Sequence, residues 1–148
     1  MSSIDVREKF KKHELSGEVS CILYGKDGES GEERAEYKST HLYGDYSDNV
    51  YVHASSHTEH HSEDILFLFS KDLTPGTYHY FPDFPNVIDF VCDARYAPAW
   101  RPQSGLFVLE KNSVGVIKGR FRFHKEPGDK GFAVSDGKFF INFPASVS

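Results

Sequence analysis

With 148 residues and 16.8 kDa, the chain is sized for one domain, and area scaling lets a chain of this mass bury roughly two-thirds of its surface without disulfide staples. Apolar residues make up 39% and aromatics 15%, which excludes a wholly disordered polymer, and no run approaches the ~18 apolar residues of a membrane-spanning helix. Twenty-two acidic against 17 basic side chains give a net charge of −5, which argues against a nucleic-acid binder, because phosphates call for cations.

Val, Ile, Phe, Tyr, Trp and Thr number 43, against 16 for Ala, Leu and Met, a balance that favours pleated strands over helices. Residues 1–14 read as a tail or a short helix, with Val6 and Phe10 at i,i+4 between Ser3 and Lys12. Met1 to Phe10 lacks the basic start and apolar centre of a signal peptide, so a cytoplasmic address is expected. From residue 15 to 148 one all-β domain is expected.

Val19, Cys21 and Leu23 share one face of a first strand, which stops at the turn string Gly25-Lys26-Asp27-Gly28. Tyr37 to Tyr43 and Val50 to Ser55 follow, separated by the polar Gly44-Asp45-Tyr46-Ser47-Asp48. Ile65 to Phe69 is apolar on both faces and reads as a central strand. Pro75-Gly76 predicts a type II turn, because Pro sets φ and Gly accepts positive φ. Tyr78 to Phe81 and Val87 to Ala94 resume the pattern, then Leu106 to Glu110 and Val114 to His124. In the last of these, Ile117, Phe121 and Phe123 face one side and Lys118, Arg120, Arg122 and His124 the other. The D-G pair in Ser135-Asp136-Gly137-Lys138 predicts a hairpin joining Phe132 to Val134 with Phe139, Ile141 and Phe143. About nine or ten strands at this spacing predict an antiparallel β-sandwich or a calycin-like barrel.

The string Gly119-Arg120-Phe121-Arg122-Phe123, the later Ser135-Asp136-Gly137-Lys138-Phe139 and the upstream Pro75-Gly76-Thr77-Tyr78 resemble motifs of small β-rich bacterial proteins of unknown function. The likeness covers about a third of the chain. It implies a calycin-like barrel or sandwich and carries no catalytic residue and no ligand.

Two segments hold chemistry. His53, His57, His60 and His61 crowd one stretch followed by Glu63 and Asp64. Imidazole and carboxylate suit Zn or Ni, although the spacing matches no specific zinc motif. A solvated polar loop and a pH-responsive one are the other readings of these residues. The second segment, Arg95-Tyr96-Ala97-Pro98-Ala99-Trp100-Arg101-Pro102, sets the sole tryptophan between arginines in a proline-stiffened loop, and Phe84 lies in a second aromatic, Pro-rich loop. Trp, Tyr and Arg anchor interfaces, so Arg95, Tyr96, Trp100, Arg101 and Phe84 form the candidate ligand-binding rim, the alternative being that Trp100 plugs an open end of the sandwich.

Cys21 and Cys92 sit in apolar alternation and read as buried free thiols, with a bridge between them as the alternative. No nucleophile elbow, phosphate-cradling loop or dinucleotide fingerprint occurs. The function expected is therefore non-catalytic, binding an unknown protein or small ligand through loops at one end, with no nucleic acid and no membrane involved. A metal-binding protein centred on the histidines and a structural subunit of a homo-oligomer are the rival readings.

Overall fold

The computed structural model describes residues 14–27, 31–57, 62–81, 87–94, 97–124 and 132–144, and within these eleven strands fall into two antiparallel sheets. The six-stranded sheet runs in the order β2 (Gly31–Lys38), β1 (Ser16–Asp27), β11 (Phe132–Asn142), β10 (Val116–His124), β9 (Ser104–Ser113) and β6 (Gly76–Tyr80). The five-stranded sheet runs β3 (His41–Tyr46), β4 (Asn49–His57), β5 (Ser62–Ser70), β7 (Ile88–Ala94) and β8 (Ala97–Trp100). The sheets do not close on one another, so the fold is a sandwich and not a barrel. The run Ile65 to Phe69 lies in β5, the middle strand of its sheet, as its two-sided apolarity predicts.

The core is ring-rich because inward positions of both sheets alternate with polar outward ones. Phe67 packs on Phe139 (centroids 5.1 Å apart), Phe107 (6.0 Å) and Phe121 (6.5 Å) of the opposite sheet, and Phe90 meets Phe123 at 4.3 Å. Offset and tilted ring pairs at these separations add favourable quadrupole contacts to the area buried.

Three local expectations are corrected by long-range pairing. The Ser135-Asp136-Gly137-Lys138 string is not a hairpin: β11 runs straight through it, with a register break against both neighbours at this point. Asp136 adopts φ of 50°, taking up one extra residue as a bulge. Both halves of β11 already have partners in β1 and β10, so the kink is absorbed within the strand. Pro75-Gly76 does not form the predicted type II turn either, because Gly76 opens β6 opposite Leu109 and has no positive φ. The turn before it is held by Asn112, whose Nδ2 donates to the carbonyls of Lys71 (3.0 Å) and Leu73 (2.8 Å), while Tyr46 Oη donates to its Oδ1 (2.8 Å). Finally, the run Tyr37 to Tyr43 is cut in two. Ser39 N–H donates to the Val19 carbonyl in one sheet (2.9 Å), and Thr40 N–H donates to the Ser55 carbonyl in the other (2.8 Å), so the chain changes sheets between adjacent residues.

Candidate functional site

β6 and β8 are the last strands of their sheets on the same side of the sandwich order, opposite the β2–β3 corner. Tyr80 ends β6 with its ring edge-on to Phe123 (5.7 Å) and is buried. Its phenol is pushed up from its ordinary value by burial and by the nearby Asp89 carboxylate, with the Arg101 guanidinium opposing. Asp89 accepts a hydrogen bond from Arg101 Nη1, and both side chains are about half exposed (48% and 50%). Next to Tyr80, Phe81 is 49% exposed and stacks on His79 at 6.0 Å; next to Ile88, Val87 is 46% exposed. Among the described residues the exposed large hydrophobics are these two at one margin, Val114 in the β9–β10 turn and Phe140 in β11.

Of the rim residues expected from the sequence, Arg101 lies at this margin and Trp100 closes β8 in register with Cys92. Arg95, Tyr96 and Phe84 lie outside the described residues. The sequence reading missed Asp89 as the partner of Arg101. Twelve positions of separation hide the pair, and only the β7–β8 pairing brings it together.

The histidine stretch divides. β4 runs on to His57, so His53 and His57 are strand residues and not part of a loop, while His60 and His61 lie outside the described residues. His53 is 4% exposed, and its Nε2 is hydrogen-bonded to Asp64 Oδ1 at 2.7 Å, whereas Nδ1 has no hydrogen-bond partner among the described residues. His57 is exposed, hydrogen-bonded through Nε2 to Ser55 Oγ (3.2 Å) and edge-on to His41 (4.9 Å). Ser62 Oγ joins the chain, 3.3 Å from Ser55 Oγ and donating to Asp64 Oδ2 at 3.4 Å. Among the described residues no three His, Cys, Asp or Glu side chains are grouped so as to hold a metal ion. The alternation of Val50, Val52 and Ala54 was the signal for this face: continued by two residues, it sets Tyr51, His53, Ser55 and His57 on the outward side.

Inside, Cys21 and Cys92 are free and buried. Both thiols are pushed far up, first by burial, then for Cys21 by the Glu63 carboxylate and for Cys92 by Cys21 ahead of Glu63, Asp93 and Asp64. Tyr37 is raised in the same way, and its Oη donates to the Glu63 carbonyl oxygen at 3.3 Å. A thiol held protonated is neither nucleophile nor metal ligand. On the outward face of β10, Arg120 Nε donates to Glu110 Oε1 at 2.9 Å and Lys118 Nζ lies 3.8 Å from Glu110 Oε2, so the cationic stripe is a solvated strand face partly paired with its neighbour. No helix among the described residues is long and apolar enough to cross a membrane. Comparison with protein-family models, with curated proteins and with solved structures found no match, so the functional reading rests on the geometry alone.

Proposed function

We propose that the protein is a non-catalytic binding module that engages a protein or small ligand at the margin where Tyr80-Phe81, Val87 to Asp89 and Trp100-Arg101 come together. The supporting observation is the pairing of two half-exposed apolar side chains, Phe81 and Val87, with the half-exposed Arg101–Asp89 ion pair. Aromatic residues and arginine are enriched at interfaces, and truncating a hot-spot anchor costs ~2 kcal/mol or more. The guanidinium is held in place by Asp89 before any partner arrives, which lowers the ordering cost of using it.

A photo-crosslinking side chain at position 81 tests the reading, with the same group at Val114, in the β9–β10 turn, as control. The expected result is one defined adduct from position 81, reduced at least tenfold by Trp100→Ala with Arg101→Ala, and none from position 114. Equal capture by the folded double variant removes this margin from the function.

A further inference from the structure

On the outward face of the six-stranded sheet, one row of side chains is not balanced by its neighbours. In register across β2, β1, β11 and β10 stand Lys38, Ser20, Lys138 and Arg120. Alternation with the buried Tyr37, Val19, Phe139 and Phe121 sets all four outward, the three cations exposed and Ser20 half-buried. Arg120 lies directly opposite Lys138, a like-charge pairing that destabilises an antiparallel ladder. The nearby acids are engaged elsewhere. Glu110 takes Arg120 (2.9 Å) and Lys118 (3.8 Å), and Glu18 takes Lys38 (3.5 Å). Among the described residues no carboxylate pairs with Lys138. The chain as a whole carries a net charge of −5, so this gathering of cations is local, and an anion placed on it would relieve the repulsion.

The row borders a surface cavity of about 360 Å³, lined by Ser20, Lys118, Arg120, Lys138 and Phe140 together with Glu18 and Glu110. That volume lies at the small end of the range for small-molecule sites. Phe140, in register between Lys118 and Glu18, is 47% exposed and gives the cavity an aromatic wall.

We propose that this cavity binds a small organic anion, its head group held by Ser20 Oγ and Lys138 Nζ beside Arg120 and its flat apolar body against Phe140. Charge-assisted hydrogen bonds to the head group supply specificity for an anion, and the exposed ring supplies apolar contact. Glu110 on β9 and Glu18 on β1 flank β10 and β11 on either side. They repel a polyanion laid across the sheet, so a single head group fits where a nucleic-acid backbone does not. Glu110 also holds Arg120 in place before any ligand arrives, which lowers the ordering cost of binding. The site is separate from the margin at Phe81 and does not depend on it.

Equilibrium dialysis of the unaltered full chain against anilinonaphthalene sulfonate, with its uncharged parent phenylnaphthylamine as control, tests the proposal. The sulfonate is expected to saturate one site per chain and to bind about tenfold or more tightly than the uncharged parent, the difference a charged hydrogen bond makes. Lys138→Glu should weaken sulfonate binding by about tenfold or more while leaving the urea midpoint equal or higher, because it gives Arg120 an acidic neighbour. Phe140→Ser should weaken binding too, and Phe81→Ser should not. Sulfonate binding unchanged in folded Lys138→Glu overturns the proposal, as does the absence of saturable binding. Equal affinity for the uncharged parent, or loss in Phe81→Ser in place of Phe140→Ser, assigns the binding to apolar surface alone and overturns it as well.

Discussion

At the scale of single residues, two glycines make room for core rings. Across the β10–β11 ladder Gly119 faces Phe139 and Gly137 faces Phe121. A Cβ at 119 would lie 2.6 Å from Phe139 Cζ and 2.3 Å from the Val108 oxygen; one at 137 would lie 2.4 Å from the Phe121 ring. Each missing side chain is the space in which the opposing ring lies, and both rings then pack on Phe67. Gly119→Ala is expected to lower stability by about 1–3 kcal/mol, read as a shift in the urea midpoint with little change in slope; an unchanged midpoint would mean that the rings move aside freely. The buried thiols make a second prediction. Cys21 and Cys92 should not react with a disulfide reagent at pH 8 until the protein is unfolded, because burial keeps both protonated. Rapid modification of the native protein would contradict their placement.

At the scale of elements, polar groups decide where strands stop and how they are tied. Asn112 reaches out of β9 to hold the carbonyls of Lys71 and Leu73 and to accept from Tyr46, linking a turn to both sheets with one side chain. Asn112→Ala leaves those groups without this partner and should cost about 1–3 kcal/mol, seen as a lower thermal midpoint; equal midpoints would show that water replaces the amide. On the outward side of β4 and β5, Asp64 joins His53 to Ser62. Asp64→Ala strands a buried imidazole and is expected to destabilise by a similar ~1–3 kcal/mol, whereas His57→Ala, at an exposed strand end, should stay within about 0.5 kcal/mol. Comparable losses from both substitutions would contradict the division between a buried and an exposed histidine.

For the whole molecule, the raised acids of the core set an alkaline limit. Cys21, Cys92 and Tyr37 have folded values above their ordinary 9.0 and 10.0. The unfolded chain therefore loses protons first as pH rises, and stability falls with pH in that range. The contribution is fully present below pH 9.0 and is lost progressively above it, so the urea midpoint should drop between pH 8 and pH 10.5. A midpoint flat across that interval would show that these groups ionise as easily in the folded core as outside it.

The strands, the antiparallel class and the inward set of Val19, Cys21, Leu23, Ile117, Phe121 and Phe123 were legible because alternation is a local property of a pleated chain: each residue's face follows from its neighbour's. Arg101, half exposed and paired with Asp89, was singled out by residue type and loop chemistry, and the extension of β4 through His53 could have been read from the same period. Local turn signals misled at Asp136-Gly137 and at Pro75-Gly76, where pairing with two neighbours or with β9 outweighs what four residues prefer alone. The amino-acid sequence by itself thus determined which side chains point inward. Only the tertiary structure decided that Asp89 meets Arg101, that Asp64 meets His53, and that the sheets stay open as a sandwich, because these depend on which strands lie side by side, a choice made by packing over distances that no local pattern spans.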